Sequence, residues 1–207
     1  YSGNQELIFV ATDSFRLAEK KVVFKNPTEF QQVLIPYKNI PDILKILEGF
    51  NGDLDLIFDK NQIQIQLGNI KIVSRVVDGT FPDYKQIIPK DIKTEVVVIK
   101  NDLAKAIKAA QVFTDNFNQI RFNFNTKNNN LTISAKNNDV GDYNESIQAK
   151  IDGTDLEISF NYKYVLDSLQ SIDSESLHLS LAGAGKPMIM SGSGDKSFTY
   201  IVMPMNK

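Results

Sequence analysis

Apolar and polar residues alternate with a period of two in several stretches of the chain. Residues 53–67, DLDLIFDKNQIQIQL, alternate on both sides of Asp59-Lys60-Asn61, which is typical of a β-hairpin. Residues 177–192, LHLSLAGAGKPMIMSG, show the same pattern around a glycine-rich turn. Further strands are predicted where the chain is extended and apolar or alternating, at residues 71–77, 94–100, 121–125 and 198–205.

Two segments with apolar residues at helical spacing share one sequence pattern. Residues 37–44 (YKNIPDIL) and 162–169 (YKYVLDSL) both read Tyr-Lys-x-(Ile/Val)-x-Asp-x-Leu, and they lie 162 − 37 = 125 residues apart. Residues 6–14 (ELIFVATDS) match residues 130–138 (NLTISAKNN) at an offset of 124. Because strands, turns and a helix recur together, the pattern predicts two tandem α+β modules. Each module is expected to have an antiparallel sheet with about two helices on one face.

The second copy has elements at its front that the first copy lacks. A strand at 94–100, a helix at 102–113 and a strand at 121–125 precede its repeat, whereas Tyr1 falls roughly where Asn125 falls in the second copy. We therefore expect the chain to begin inside a module, with domains at 1–85 and 86–207.

Composition indicates an ordinary globular protein of 207 residues, with 42% hydrophobic and 23% charged residues. No apolar stretch reaches the roughly 18 residues that a membrane span needs, and the start does not resemble a signal peptide. The absence of Cys excludes disulfides, thiolate chemistry and Cys-based zinc sites, and is consistent with a cytoplasmic location. A net charge of −2 gives no general reason to expect a polyanion partner, although a local basic patch is compatible with it.

No set of residues forms a recognisable catalytic or metal-binding motif. His178 is the single histidine, and no Gly-x-Ser-x-Gly sequence accompanies it. The glycine-rich segments 183–186 and 192–197 are followed or interrupted by Pro187 and Asp195, and predicted strands flank both, so hairpin turns explain them better than phosphate loops. This pattern favours a binding or scaffold protein without a metal or cofactor.

Lysines recur on the predicted helices. Lys38 and Lys45 are seven residues apart, Lys105 and Lys108 are three apart, and Lys163 repeats Lys38. They are either ordinary solvated helix faces or a surface that contacts a phosphate backbone without reading bases.

The segment joining the two copies and the C-terminal segment are both unusually apolar. Residues 76–89, VVDGTFPDYKQIIP, combine turn dipeptides with apolar residues, so we expect this linker to be docked, either as domain packing or as one wall of a groove. Near the C-terminus, Pro204 should stop strand pairing and leave Met203 and Met205 near the surface as adaptable apolar contacts.

Three segments resemble signatures of the bacterial DNA polymerase III beta subunit, the DNA sliding clamp. They are ATDSFRLA (11–18), DGTFPDYKQIIP (78–89) and YIVMPM (200–205), and they occur in the family's order. The resemblance covers essentially the whole chain and corresponds to most of the middle domain and the complete last domain of the family.

The resemblance implies a non-enzymatic ring in which two subunits close head to tail around duplex DNA. Helices line the hole and contact double-stranded DNA without sequence preference, which would be the role of Lys38, Lys45, Lys105, Lys108 and Lys163. A pocket between the middle and last domains would bind short linear motifs of DNA polymerase III, clamp-loader subunits and repair polymerases. Carried over position by position, the pocket residues are Thr12, Ser14, Phe15, Arg16, Leu17, Pro82, Gln86, Ile87, Ile201, Val202, Met203, Pro204 and Met205.

The chain departs from the family at the pocket rim. Many members have Gly or Ser followed by His where this chain has Ser14-Phe15, and several have Arg at the position of Gln86 and Arg-Leu in place of Asn206-Lys207. These changes make the rim less basic and bear on partner preference. Two alternatives remain open: a hydrolase or nucleotide-binding enzyme that uses His178 or the glycine turns, and a scaffold of tandem modules with no role on DNA.

Overall fold

The computed structural model describes residues 2–3, 6–23 and 32–205. The chain divides into two compact units: the first takes residues within 1–7 and 23–83, and the second takes 8–22 and 84–207. Residues 8–22 join the second unit although they precede the predicted boundary at 85, because the strand that follows Phe15 pairs with the last strand of the chain. The division into domains 1–85 and 86–207 stays a prediction.

The described chain contains fourteen strands and three α-helices. In chain order they are β1 (Ser2–Gly3), β2 (Glu6–Thr12), β3 (Arg16–Val23), α1 (Ile40–Leu47), β4 (Asp55–Phe58), β5 (Gln62–Leu67), β6 (Ile70–Arg75), β7 (Thr94–Ile99), α2 (Lys100–Ala110), β8 (Gln119–Asn125), β9 (Asn130–Asn137), β10 (Gly141–Gly153), β11 (Leu156–Asn161), α3 (Tyr162–Ser171), β12 (Ser176–Leu181), β13 (Met188–Gly192) and β14 (Phe198–Val202). Short 3₁₀ turns occupy Tyr37–Asn39, Tyr84–Ile87 and Gln111–Phe113.

The first unit packs helix α1 against the antiparallel sheet β4-β5-β6. Its buried cluster consists of Ile43 from the helix and Ile65 and Leu67 from β5, the residues that the helical and alternating patterns place on the inner faces. In the β4–β5 turn, Asp59 accepts hydrogen bonds from the backbone N–H groups of Asn61 and Gln62 at 2.7 and 2.9 Å, which stabilises the predicted hairpin.

The second unit is built on one long sheet, in the order β2-β3-β14-β13-β12-β7-β10-β9-β8-β11. All strand pairs for which a register is defined are antiparallel. One core forms where α2 and α3 cover the sheet, and its fully buried members include Leu103, Ile107, Phe122, Phe160 and Val165. The predicted α+β class of antiparallel sheets with helices is therefore confirmed.

The internal repeat corresponds to repeated structure. Strand β2 ends at Thr12 and β9 at Asn137, and 137 − 12 = 125. Strand β3 begins at Arg16 and β10 at Gly141, and 141 − 16 = 125. The hairpins β2–β3 and β9–β10 thus stand at equivalent places in the two copies.

Two element boundaries differ from the sequence prediction. The helix predicted at 102–113 begins earlier, at Lys100, and after Ala110 it tightens into the 3₁₀ turn Gln111–Phe113. The last strand ends at Val202, two residues before Pro204, because proline has no N–H group to continue the pairing.

Candidate functional site

The turn between β2 and β3 is held by its own polar side chains. The Thr12 hydroxyl donates to the Arg16 carbonyl at 2.8 Å and accepts from the Ser14 N–H at 3.2 Å. One oxygen of Asp13 accepts from the N–H groups of Phe15 and Arg16, both at 3.0 Å. Ser14 adopts a positive φ of 76°. The hydrogen bonds of Thr12 and Asp13 are thus used to shape a turn that leaves Phe15 exposed.

Arg16 ties this turn to helix α3. Its Nε lies 2.9 Å from Asp13 Oδ2, its Nη1 lies 2.5 Å from Asp167 Oδ2, and its Cζ lies 4.7 Å from the ring centroid of Tyr164. Partial burial disfavours the charged guanidinium, but the hydrogen bonds to Asp167 and Asp13 outweigh this and raise the pKa of Arg16. Arg16 is therefore a fixed cation whose main partners are already in place.

Phe15 and Tyr164 form an aromatic platform beside Arg16. Their ring centroids are 6.1 Å apart with an interplanar angle of 21°, and Phe15 remains 59% exposed. The Tyr200 hydroxyl donates to the Tyr164 carbonyl at 2.9 Å and so fixes the helix against β14. Burial raises the pKa of Tyr200, so this donor is protonated at neutral pH.

The face of β3 and β14 that points away from the large core carries a second apolar pair. Leu17 and Ile201 are direct cross-strand partners and are only 2% and 1% exposed. Their neighbours Ala18 and Tyr200, by contrast, pack into the core formed with α2 and α3. The β3–β14 strand pair thus has an apolar surface on each of its two faces.

The linker is anchored on this second face. The Tyr84 hydroxyl donates to a carboxylate oxygen of Glu19, and both residues are buried. Glu19 lies two residues after Leu17 and therefore on the same side of β3. The 3₁₀ turn Tyr84–Ile87, which contains the predicted site residues Gln86 and Ile87, is thereby tied to the strand that begins at Arg16.

The C-terminal segment runs from the β2–β3 turn to strand β11. The Met203 N–H donates to the Phe15 carbonyl, and the Met205 N–H donates to the Ser159 carbonyl, both at 2.8 Å. Met203, Pro204 and Met205 are half-buried, as expected for apolar side chains held at a surface. The backbone of this segment is fixed, while its thioether side chains remain partly accessible.

The structure brings most of the predicted site residues of the second unit onto connected backbone. Phe15, Leu17, Ile201 and Met203 are joined by strand pairing and by the Met203–Phe15 hydrogen bond. Val202 differs, because its side chain is fully buried in the core on the opposite face. Pro82 is exposed and belongs to the first unit, and Asn206 and Lys207 lie outside the described residues.

Sequence reasoning missed Tyr164 and Asp167. They lie three residues apart on α3, so they share one helical face, and both contact Arg16. The signal available in the sequence was that the repeat YKxxxD has Tyr164 where the first copy has Asn39. That difference identifies Tyr164 as a site residue only once the β2–β3 turn is known to lie beside α3.

The five lysines assigned to a DNA-facing surface are all exposed. Lys38 and Lys45 belong to the first unit, at the 3₁₀ turn before α1 and on α1. Lys105, Lys108 and Lys163 belong to the second unit, and α2 turns its buried residues toward the sheet, so its lysines lie on the outer side of the helix layer.

The histidine and the glycine-rich segments that were considered as catalytic or phosphate-binding candidates lie on sheet strands and in turns. His178 on β12 lies 3.8 Å from Glu95 on β7, and the two glycine-rich segments connect β12 to β13 and β13 to β14. Within the described residues, no group of three or more His, Cys, Asp or Glu side chains could hold a metal ion. None of the helices in that part of the chain is long and apolar enough to cross a membrane.

Comparison with known proteins gives one consistent family. Residues 1–83 match the central domain of the DNA polymerase III beta subunit, and residues 85–206 match its C-terminal domain. A beta sliding clamp of Staphylococcus epidermidis is 30% identical over 203 residues, which are 98% of this chain and 54% of that protein. A beta sliding clamp of Staphylococcus aureus is 30% identical over 201 residues, 97% of this chain and 53% of that protein.

Solved structures agree with these sequence matches. The DNA polymerase sliding clamp of Bacillus subtilis superposes with a TM-score of 0.93 at 29% identity, covering 100% of this chain and 55% of that one. The DNA polymerase III subunit beta of Pseudomonas aeruginosa gives 0.93 at 28% identity, covering 99% of this chain and 56% of that one. The chain spans about half the length of these relatives. It belongs to the DNA polymerase III beta subunit family, and its two matched regions are the central and C-terminal domains.

Proposed function

We propose that this chain is the central and C-terminal part of a DNA sliding clamp, a processivity factor that tethers replication and repair proteins to DNA. The observation that carries the proposal is the surface formed by Phe15, Leu17, Ile201 and Met203, hereafter the docking surface. It combines an exposed aromatic ring, a buried apolar pair and an adaptable thioether on one fixed backbone. Such a surface suits short apolar motifs and performs no bond-breaking chemistry.

The docking surface would bind partner peptides through apolar anchors. Leu17 and Ile201 are already held in register by strand pairing. Little conformational entropy of this protein would therefore be lost when a peptide binds. Gln86 and Ile87 would add a polar and an apolar contact from the anchored 3₁₀ turn. Thr12 and Arg16 would act mainly by shaping the turn, Ser14 through its backbone, and Val202 would contribute its backbone only. Pro82, Pro204 and Met205 complete the proposed set.

The partners of this surface would be DNA polymerase III, clamp-loader subunits and repair polymerases, each through a linear motif. On the DNA side, Lys38, Lys45, Lys105, Lys108 and Lys163 would contact phosphates of duplex DNA by charge alone. A closed homodimeric ring of complete subunits would encircle DNA in the cytoplasm. In that assembly the protein is a mobile tether and not an enzyme.

Peptide binding tests the docking surface. A fluorescent peptide with a Gln and a Leu-Phe pair should bind the chain, and Met203→Ala should weaken binding more than about fivefold because a partly buried apolar anchor is lost. The measurement is fluorescence anisotropy at fixed ionic strength. Val112→Ala, which truncates an exposed apolar side chain in the 3₁₀ turn after α2 and outside the docking surface, serves as the control and should leave affinity unchanged. Equal affinity of the Met203→Ala and Phe15→Ala variants with the unmodified chain would exclude this surface.

Direct DNA binding tests the lysine assignment. The isolated chain should bind duplex DNA weakly, with an affinity that falls steeply with salt and does not depend on sequence. Reversing Lys105 and Lys108 to Glu should reduce both the affinity and the salt slope, because fewer counterions are released. Reversing Lys127 and Lys136 to Glu, two exposed lysines outside the helices, changes the net charge by the same amount and provides the control. Tight, sequence-specific binding would contradict the proposal.

A further inference from the structure

The loop between α1 and β4 contains a chemically distinct pair of residues. Asn51 is the single asparagine of the sequence that a glycine follows. Asn51 and Gly52 are both exposed, and neither belongs to a helix or a strand. Within the described part of the chain, the Asn51 side chain has no hydrogen-bond partner that would hold its amide in place.

The absence of a side chain at Gly52 matters for reactivity. A glycine carries no side chain to shield its own backbone nitrogen, and it reaches backbone conformations closed to other residues. A side chain at position 52 would meet the Phe50 ring, since a Cβ placed there would lie 3.0 Å from the Phe50 Cζ. Only glycine fits beside the Phe50 ring without a shift, and at position 52 it leaves its own nitrogen unshielded toward the Asn51 carboxamide.

A comparable dipeptide elsewhere in the chain is restrained. Asp152-Gly153 lies at the end of β10, where the two residues pair with Glu95 and Thr94 of β7. Pairing with β7 holds the backbone of both residues in place, so the Asp152 side chain does not turn freely toward the Gly153 nitrogen. The loop at Asn51-Gly52 has no such restraint.

We propose that Asn51 is a site of spontaneous deamidation in the folded protein. The backbone nitrogen of Gly52 attacks the side-chain carboxamide carbon of Asn51, a C–N bond forms, and ammonia leaves with the proton that the Gly52 nitrogen loses. Water then opens the cyclic imide at either carbonyl and gives aspartate or isoaspartate. No oxidant or reductant takes part, and water is the only co-reactant.

The reaction adds one negative charge to a segment that already carries Glu48, Asp53 and Asp55. The new carboxylate is ionised at neutral pH, since an ordinary aspartate has a pKa of about 3.9. The formal net charge of the chain changes from −2 to −3. The added charge lies in the same unit as Lys38 and Lys45, so it opposes the attraction of that unit for phosphates.

Mass spectrometry of the intact folded chain tests the proposal. The chain is incubated at mildly alkaline pH and digested, and the peptides are separated to resolve asparagine, aspartate and isoaspartate at position 51. We expect conversion at Asn51 to exceed clearly that at Asn69, where Ile70 follows in place of glycine. Enzymatic methylation of isoaspartate gives an independent readout, and the methylated peptide that contains position 51 should be absent in the Asn51→Gln variant.

Two controls make the result decisive. The same incubation in denaturant shows the rate without the fold, and the folded chain should retain a substantial part of that rate. Conversion in denaturant but not in the folded chain would overturn the proposal, because the fold would then protect the site. Equal conversion at Asn51 and Asn69 in the folded chain would overturn it as well.

Discussion

The hairpins β2–β3 and β9–β10 occupy equivalent places in the repeat but have different surroundings. The first turn presents Phe15 and Arg16, which contact Tyr164 and Asp167 of α3. The second turn has Tyr143 beside it, stacked on Phe113 at 5.6 Å, and Val140 at its tip is 54% exposed. The strands of the two hairpins are therefore alike, whereas their turns contact different residues.

Strand pairing explains where the two hairpins diverge. From its first residue β3 pairs with β14, with Arg16 opposite Val202 and Leu17 opposite Ile201. In β10 the residues Gly141–Gln148 pair with β9, and only Ala149–Gly153 pair with β7. The first turn is thus adjacent to a strand end and to the C-terminal segment, while the second has no such neighbour among the described strands.

The turn distinguishes the first hairpin from the second, and it carries part of the proposed docking surface. The pattern of the strands serves the sheet in both copies. Phe15, Arg16 and Leu17 add an exposed ring, a fixed cation and a buried anchor next to Met203. Changes at the two turns should therefore have unequal effects.

The largest difference is expected for truncation of the buried anchor. Leu17→Ala should lower the free energy of unfolding of the second unit by about 2–5 kcal/mol, because a nearly fully buried side chain leaves a cavity beside Ile201. Val140→Ala in the other turn should change it by less than about 0.5 kcal/mol, because that side chain is exposed. Chemical denaturation of both variants gives the comparison, and equal losses would show that the two turns are equivalent.

A smaller difference is expected from backbone conformation at the turns. Gly141 has a φ of 121°, which a side chain disfavours, so Gly141→Ala should destabilise the fold by at least about 1 kcal/mol. Ser14 has a φ of 76° in the left-handed region, where glycine relieves strain at the cost of a more flexible unfolded chain. Ser14→Gly should accordingly be neutral or stabilising by about 0.5 kcal/mol. Thermal unfolding of both variants measures these changes, and a large loss in Ser14→Gly would show that its side chain has an additional role.

The smallest expected effect is the loss of stability at low pH when Asp13 is protonated. Burial raises the pKa of Asp13, but hydrogen bonds from the Arg16 side chain and from the N–H groups of Phe15 and Arg16 outweigh it, so the pKa is lowered overall. A lowered folded-state pKa contributes stability that is present above the unfolded value of about 3.9 and is lost as the pH falls through the folded value. An NMR titration of the Asp13 carboxyl should show this midpoint below that of the Arg16→Met variant. Identical midpoints in the two proteins would show that the Arg16 side chain does not lower the pKa of Asp13.

Much of the fold follows from local pattern. The alternation at 53–67 predicts β4, β5 and their turn, because side chains on a strand point to opposite faces and Asp59 can cap the turn. The matching segments at 37–44 and 162–169 predict the α1 and α3 regions, since both place apolar residues at helical spacing. The end of α2 was less predictable, because Gln111–Phe113 continue the helical pattern while the backbone tightens to 3₁₀.

The candidate site divides in the same way. Local sequence predicts the strands that end near Thr12 and Val202 and the apolar segments around Leu17 and Met203, because these depend on neighbours along the chain. The ion pair of Arg16 with Asp167, the stacking of Phe15 on Tyr164, and the burial of Val202 in the large core on the face opposite Ile201 depend on the folded sheet. The physical reason is that such contacts join residues about 150 positions apart, and their free energy arises from burial and charge pairing that exist only once the sheet has formed.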